Sequence, residues 1–263
     1  MLGTRAKFGG ARPFDGDTLA WQSAVQGAGG AVGYAQLGFV DRLIFDLKAA
    51  NVWAGLDRLW LFAAENSQQA LIDLVARAAA TAVNSPTFTA ARGWQGNGTS
   101  SYLNSNFNAA TAGGKFQLND ASHGVWVETY NSGAPGGFDI VNDFSAYSFV
   151  RCNDGSGNIA WAVNNNGAVG AAAIANAGIQ TGFFQAQRTG AAALALFRNG
   201  ASIATDSRAS GIVRNQNHGI LANLGANFSA ARLSAAFIGG SLTGKEAGFY
   251  NAMRTYMTSQ GVP

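Results

Sequence analysis

The stretch Ala191-Ala-Ala-Leu-Ala-Leu-Phe-Arg-Asn-Gly-Ala-Ser-Ile-Ala204 decides the fold class. Its Asn199-Gly200 pair tolerates the positive φ angles of a type I′ turn, and short apolar runs flank that turn. The stretch therefore predicts an antiparallel hairpin with strands at 194–198 and 202–205. Three of its side chains are predicted to lie in the core: Leu194, Leu196 and Ile203.

Similar short runs recur between Gly and Asn clusters from about residue 86 to 240, which favours a two-layer antiparallel sandwich over a parallel α/β sheet. A second hairpin with a longer loop is predicted around Asn153–Gly157. Further strands are predicted at 87–89, 123–130, 147–152, 158–163, 181–187, 218–221 and 233–238. This architecture more often binds than catalyses.

Helices are predicted at both ends of the sandwich. The first runs from about Asp17 to Gly27, and the second carries an apolar stripe and ends near Ala50. Residues 58–64 are predicted as a buried strand, and 65–83 as mostly irregular. A closing helix at 243–259 is predicted from a capping box in which Thr243 is the N-cap and Glu246 sits three residues on. The four residues of the apolar stripe are spaced as on one helix face: Val40, Leu43, Ile44 and Leu47.

Composition excludes several classes of function. Charged residues make up 12% of the 263 residues, and the 17 Lys and Arg form no run, which argues against nucleic-acid binding. No apolar segment follows the basic start at Met1, so no signal peptide is predicted and synthesis in the cytoplasm is expected. Gly and Asn interrupt the longest uncharged stretch, 158–188, so no membrane insertion is expected. Cys152 is alone, which excludes an intrachain disulfide and favours a buried apolar role.

Carboxylates are too few and too scattered to predict an enzyme. The chain has three glutamates, and Glu128 has no acidic partner two or four residues on, as the paired carboxylates of sandwich glycosidases require. Asp139 and Asp143 are four residues apart, but the segment at Asn142-Asp143 is turn-like, which favours a solvated loop. No catalytic residue is therefore predicted.

Metal and cofactor sites are not predicted either. His123 and His218 lie at the starts of strands without clustered ligands, so they are interpreted as edge polar residues, and a zinc site would need long-range convergence. A structural Ca²⁺ ion in an Asp/Asn loop stays open, at Asn153-Asp154 or at Asn142-Asp143.

Two glycine-rich segments imitate nucleotide-binding motifs. Gly239-Gly-Ser-Leu-Thr-Gly-Lys-Glu246 matches a phosphate-binding loop up to Lys245 but then has Glu where Ser or Thr must hold Mg²⁺. Gly27-Ala-Gly-Gly-Ala-Val-Gly33 follows a helix rather than a strand, so it is interpreted as a linker between helices.

Aromatic residues are the remaining candidates for ligand binding. Trp94, Trp126 and Trp161 lie near Asn- and Gly-rich loops, where flat rings and amides together suit a sugar. Aromatics in strands usually fill the core, however, so the ligand-binding residues stay unknown at this stage.

Five stretches in a fixed order resemble bacteriophage and prophage structural proteins with a concanavalin A-like (laminin G-like) domain. The resemblance covers most of residues 39–260 and implies a jelly-roll β-sandwich carried on a virion, as part of a tail, a fibre or a head decoration. It supplies no catalytic motif. The stretches are 39–53, 56–64, 85–103, Phe197-Arg-Asn-Gly200 and 238–243 with its closing helix.

The resulting hypothesis is a non-enzymatic virion protein without cofactors. Residues 1–57 would attach it to other virion proteins or to sister subunits in a homo-oligomer, and residues 58–263 would form the sandwich and its closing helix. The sandwich would present loops outward, toward a host surface glycan. The alternatives are a free carbohydrate-binding module and, third, a glycan hydrolase that depends on Glu128.

Overall fold

The computed structural model describes residues 13–130, 137–143, 148–169, 171–175, 178 and 180–263, and its described part contains two antiparallel sheets and five α-helices. The predicted mainly-β sandwich with helices at both ends is confirmed. The helices are α1 (Gly16–Gly27), α2 (Tyr34–Ala49), α3 (Ser67–Leu71), α4 (Ala109–Ala112) and α5 (Glu246–Ser259).

The strands follow the predicted runs closely and include short additional ones. In chain order they are β1 (Leu56–Leu61), β2 (Thr81–Val83), β3 (Thr87–Thr89), β4 (Gly93–Gln95), β5 (Tyr102–Asn104), β6 (Ala121–Thr129), β7 (Ile140–Asp143), β8 (Ser148–Arg151), β9 (Ile159–Ala162), β10 (Ala172–Ile174), β11 (Gly182–Gly190), β12 (Ala193–Arg198), β13 (Ala201–Asp206), β14 (Gly219–Ile220) and β15 (Arg232–Gly239).

The strands pair into two sheets. The first sheet has the order β13-β12-β11-β6-β15-β4-β3, and β1 also pairs with β15; the second has the order β10-β9-β8-β7-β14-β5-β2. Every described pair is antiparallel. Since β6 pairs with both β11 and β15, it lies at the centre of the first sheet.

Strand β6, at the centre of the first sheet, is buried on both faces over most of its length. On β6, Val125 and Val127 belong to the core between the sheets, whereas Trp126 belongs to a second core beneath the helices. This second core includes Phe249 and Met253 of α5. The apolar face of the closing helix thus packs on both the sandwich and the N-terminal helices, the two partners that the sequence left open.

A chain of buried hydrogen bonds ties the helical layer to the sheet. Gln36 Nε2 on α2 donates to the Tyr256 hydroxyl on α5 at 2.7 Å, and that hydroxyl donates to the Ala63 carbonyl at 2.7 Å. Burial, more than the nearby charge of Glu65, raises the pKa of Tyr256 well above its ordinary value. The hydroxyl therefore keeps its proton and can donate it to the Ala63 carbonyl.

The hairpin predicted from the Asn199-Gly200 pair is confirmed. Asn199 and Gly200 have φ angles of 51° and 77°, as a type I′ turn requires, and they join β12 to β13. Leu194 and Leu196 are buried, but the predicted core position of Ile203 is wrong, since that side chain is 41% exposed. A β-bulge shifts the register opposite Ile203, on the edge strand of the sheet.

The predicted capping box is also wrong. Helix α5 begins at Glu246, not at Thr243, and no side chain caps it. The Glu246 carboxylate accepts a hydrogen bond from Gln187 Nε2 on β11 at 2.7 Å, so a tertiary partner has replaced the local one.

Two further regions complete the fold. The 65–83 segment, predicted as mostly irregular, contains the short helix α3 and strand β2. The linker between α1 and α2 at Gly27–Gly33 is confirmed. Within the described ranges, no helix combines the length and the apolar character that a bilayer crossing requires. The division of the chain at residue 57 stays a prediction.

Candidate functional site

The structure separates the three candidate tryptophans. Trp94 and Trp161 lie in the core between the two sheets, where they are 5% and 1% exposed. Trp126 points to the opposite face of the first sheet, under α5, and it lines a surface cavity. Strand alternation along β6 produces this placement, because neighbouring Val125 and Val127 point inward.

This cavity, called the Trp126 cavity below, has a volume of about 260 Å³ and lies where β6 and the β12–β13 turn meet α5. Its volume is at the small end of ligand pockets, which suits a ligand group the size of a single sugar ring. The lining residues are Trp126, Val127, Glu128, Thr181, Gly182, Arg198, Asn199, Tyr250, Arg254 and Pro263.

The Trp126 ring lies between two aromatic rings, and the outer one, Tyr250, also lines the cavity. It is 5.9 Å from the Phe183 ring at an interplanar angle of 28°, and 6.0 Å from the Tyr250 ring at 13°. Trp126 is 1% exposed, and its buried Nε1 has no hydrogen-bond partner among the described residues.

Glu128 lies two residues further along β6, on the same face. Its carboxylate is 6% exposed and lies 3.3 Å from Arg92 Nη1 and 3.6 Å from Arg232 Nη1. The buried Oε2 accepts no hydrogen bond from the residues that the structure describes. Arg92 and Arg232 therefore compensate the charge of Glu128 through ion pairs.

The type I′ turn positions the opposite wall. Asn199 Oδ1 accepts the Phe183 backbone N–H at 2.9 Å, and a Cβ added at Gly200 would lie 2.8 Å from Ala247 Cα and 3.0 Å from Tyr250 Cβ. The turn thus packs directly against α5, and only glycine permits this approach. The hairpin that decides the fold also builds the cavity.

Asp139 and Asp143, which the sequence analysis did not predict to be a catalytic pair, have separate partners. Asp139 is fully buried and accepts hydrogen bonds from the Cys152 backbone N–H and the Ser229 hydroxyl, both at 2.8 Å. Asp143 forms an ion pair with Arg214 instead. The expected solvated loop at Asn142-Asp143 is wrong, since both residues end strand β7 and are buried.

The sequence analysis interprets both histidines as edge polar residues, and this interpretation is wrong. His123 and His218 are fully buried between the sheets with their rings 5.9 Å apart, and they are called the histidine pair below. His123 Nε2 hydrogen-bonds the Ala162 carbonyl at 3.2 Å, but no described residue lies in hydrogen-bond geometry with either ring nitrogen of His218. Burial lowers the pKa of His123 to about 4, and burial together with His123 lowers the pKa of His218 well below its ordinary value.

The loop at Asn153-Asp154 satisfies side-chain oxygens internally. Asp154 Oδ1 accepts the backbone N–H groups of Ser156 and Asn158 at 2.8 and 3.2 Å, and Asn153 Oδ1 accepts that of Gly155 at 2.7 Å. These are turn-stabilising hydrogen bonds. Within the ranges that the structure describes, no three His, Cys, Asp or Glu side chains cluster as metal ligands do.

Sequence reasoning missed most of the cavity lining. Tyr250 was interpreted only as part of the apolar face of the closing helix, and Arg198 and Arg254 were not singled out. The available signal was the Asn199-Gly200 turn, because Arg198 precedes it directly. Nothing local in the sequence indicates that α5 packs against this turn.

No family model matches the chain, and no curated protein is significantly similar to it. Solved structures do share its fold. The botulinum neurotoxin serotype D binding domain superposes with a TM-score of 0.53 at 10% identity, covering 77% of this chain and 52% of that one. This chain therefore spans about half the length of that binding domain.

Two further structures are similar in fold. Domain 4 of AbnA, a GH43 extracellular arabinanase from Geobacillus stearothermophilus in complex with arabinotriose, has a TM-score of 0.50 at 11% identity, with 75% of this chain and 98% of that domain covered. A mutant of Trypanosoma rangeli sialidase displaying trans-sialidase activity has a TM-score of 0.51 at 9% identity, with 85% and 40% covered. At such identities the likeness shows the shared β-sandwich fold.

Proposed function

We propose that this chain is a non-enzymatic saccharide-binding β-sandwich, carried on a bacteriophage virion, whose sugar site is the Trp126 cavity. One observation carries the proposal: the open cavity places the half-buried Tyr250 ring, which stacks on Trp126 at 6.0 Å, beside the polar side chains of Glu128, Asn199 and Arg254.

The cavity offers the chemistry that a sugar ring needs. Sugar hydroxyls both donate and accept, so they can pair with the Asn199 amide and the Arg254 guanidinium. The apolar face of the sugar ring can lie against the half-buried Tyr250 side chain. Such pockets bind with a few well-placed polar groups on an apolar wall.

The similar structures support a binding role. The arabinanase domain that shares the fold is in complex with arabinotriose, and the neurotoxin domains are named as binding domains. The arrangement of acids supports the absence of catalysis, because Glu128 is the one carboxylate side chain in the cavity lining, whereas glycoside hydrolysis ordinarily uses two.

The N-terminal helices support the assembly role. Tyr34 and Phe45 on α2 are 81% and 47% exposed, and Leu19 on α1 is 45% exposed. Large exposed apolar side chains are typical of faces that other subunits cover. We assign attachment to the virion or to sister subunits to this part of the chain.

The sugar site is tested by glycan-array screening followed by calorimetric titration of the best ligand. Tyr250→Ala is expected to weaken binding at least about tenfold, the effect of losing one well-packed aromatic contact. Tyr102→Ala is the matched control, because Tyr102 is also half-buried but lies on the second sheet. Unchanged binding by the Tyr250 variant, or no glycan bound by the wild type, would refute the site.

The virion role is tested separately by mass spectrometry of purified particles. Detection of the chain in stoichiometric amounts is expected. Its absence from particles, together with glycan binding, would favour a free carbohydrate-binding module. Saccharide turnover that Glu128→Gln abolishes would instead identify a hydrolase.

A further inference from the structure

We propose that the exposed side of α2 is an interface between two copies of this chain, related by a two-fold axis that makes their α2 helices antiparallel. This inference rests on the assembly role proposed above for the N-terminal helices, and it is independent of the sugar site. It adds the partner, which is a second copy of the chain, and the register in which the two helices meet.

Exposed apolar side chains are concentrated on the N-terminal helices. Among the described residues, four of the six most exposed large apolar side chains lie on α1 and α2: Leu19, Tyr34, Phe39 and Phe45. Exposed apolar side chains gathered in one region indicate a surface that association covers.

Five residues form a row along the exposed side of α2, called the α2 surface row below: Tyr34, Gly38, Arg42, Phe45 and Ala49. At about 100° per residue, their positions fall within an arc of about 80° around the helix axis. Gly38 is partly exposed and the other four are exposed. The row therefore faces away from the core and contains both large and small side chains.

Gly38 is not explained by contacts within one copy of the chain. It lies in the interior of α2, where glycine destabilises a helix relative to alanine, and its φ is outside the left-handed region. A Cβ added at Gly38 would have no atom of the described neighbouring residues within 4 Å. Close approach of a second helix is a physical reason for glycine at such a position.

The α2 surface row is complementary to itself. If two antiparallel α2 helices meet with the two-fold axis beside Arg42, Phe45 of one copy lies opposite Gly38 of the other, and Tyr34 lies opposite Ala49. Each large side chain then meets a small one, as ridges fit into grooves, and each contact occurs twice. This self-complementarity favours a second copy over an unrelated partner.

The charges beside the axis are complementary in the same arrangement. Arg42 Nε lies 2.7 Å from Asp46 Oδ2, one helical turn further along, and the side chain of Arg42 is 66% exposed. Two copies bring two arginines and two aspartates together, with no net charge, so that each Arg42 can also pair with Asp46 of the second copy. Such matching of opposite charges fixes the register of an interface.

The experiment measures the oligomeric state of the full chain by sedimentation velocity at protein concentrations from about 1 to 500 µM. One helix face is at the small end of protein interfaces, so we expect a dimer that dissociates in the micromolar range.

Gly38→Leu is expected to weaken dimerisation at least about tenfold, because the leucine fills the space that Phe45 of the second copy enters. Thermal unfolding at a dilution where the wild type is monomeric should show no loss of stability, since the leucine meets open space and favours a helix. Ala82→Leu is the matched control, because it adds a leucine at an exposed position on β2, in the second sheet.

A compensating pair of substitutions tests the register. Phe45→Ala alone should weaken dimerisation, because it removes the side chain that fits against Gly38. The double variant Gly38→Leu/Phe45→Ala is expected to dimerise more strongly than Gly38→Leu, since each leucine then occupies the space left by the phenylalanine. Damage to α2 itself would instead accumulate in the double variant.

The outcomes separate this inference from the assembly role. A wild type that stays monomeric, a dimer that Gly38→Leu does not weaken, or a double variant weaker than both single variants would overturn the inference. A monomeric chain that is present in purified particles would leave the assembly role in place, with another virion protein on α2. A monomeric chain that is absent from particles would overturn both.

Discussion

Strand β6 carries polar side chains on both of its faces, and the two sets have different surroundings. On the inner face, His123 packs against the rings of Phe116 and His218 at 6.0 and 5.9 Å. On the outer face, Trp126 and Glu128 line an open cavity. On both faces, buried polar atoms lack a partner among the described residues, but only the outer face borders an open cavity.

This difference makes the outer face the candidate binding site, because the cavity beside it is open, whereas the histidine pair is enclosed between the sheets. An unpartnered polar atom raises the free energy of the folded state unless something satisfies it. At the histidine pair no ligand can enter, so the protein keeps both rings neutral, and its stability depends on pH.

The largest expected effect is on the outer face. Trp126→Ala removes a ring packed between Phe183 and Tyr250, and we expect the free energy of unfolding to fall by about 3–5 kcal/mol. Urea denaturation measures this loss, and Trp126→Phe, which keeps a ring, should lose much less. A loss below about 1 kcal/mol for the alanine variant would show that the cavity wall does not depend on this ring.

The histidine pair should make the inner face acid-sensitive. The pKa of His123 is about 4 when folded and 6.5 in its unperturbed state, so the unfolded state binds the proton first as the pH falls. Stability is therefore full above about pH 6.5 and decreases between pH 6.5 and 4, by about 3 kcal/mol from His123 alone, with a further loss from His218.

Urea denaturation near neutral pH and near the lower limit of this window measures that loss. His218→Phe is the informative variant, since it fills the same space without titrating and should show a smaller loss. Burial raises the pKa of Asp139, which has the opposite sign because stability is gained as that group is protonated. The wild type and the His218→Phe variant both contain Asp139, so its contribution to the pH dependence is the same in each. An identical pH dependence of stability in the two would contradict a role of His218.

The turn that supports the cavity gives an intermediate effect. Gly200 and Gly244 have similar φ angles, 77° and 75°, but a Cβ at Gly200 would contact Ala247 and Tyr250 whereas one at Gly244 would meet open space. Gly200→Ala should therefore destabilise by about 2 kcal/mol or more, and Gly244→Ala by about 1 kcal/mol, the strain of a left-handed residue alone. Equal losses in thermal or urea unfolding would mean that the turn does not position α5.

The smallest expected effect on stability comes from removing the charge of Glu128, on the outer face of β6. Glu128→Gln should change stability by about 1 kcal/mol or less, because its ion pairs are 3.3 and 3.6 Å long and Arg92 is 39% exposed. A double-mutant cycle with Arg232→Gln measures the coupling. A coupling above about 2 kcal/mol would place Glu128 among structural residues rather than ligand-facing ones.

Sequence reasoning predicted most of the fold because strands and turns leave local signals. The Asn199-Gly200 turn and the length of α1 needed only their own residues. Prediction failed where a distant partner intervened: Glu246 bonds Gln187, 59 positions earlier, instead of capping its own helix. Ile203 failed because a bulge in the register cannot be read from apolar spacing.

The candidate site was harder to predict for a related reason. Alternation along a strand separates two faces, but on β6 both faces are buried, one under the second sheet and the other under helices. Trp94, Trp126 and Trp161 therefore have equivalent local patterns, and only the packing of α5 leaves one of them at a cavity. His123 was taken for an edge residue because nothing local indicates which strands lie at the centre of a sheet.

By itself, the sequence determined that this protein is an antiparallel β-sandwich with a helix at each end, because turn dihedral angles and apolar periodicity act over a few neighbouring residues. Only the tertiary structure decided that the turn at Gly200 packs against α5, that Trp126 and Arg254 share a cavity, and that two histidines meet in the core. Those juxtapositions depend on how two sheets and a helical layer close over one another, and they join residues that are far apart in the chain.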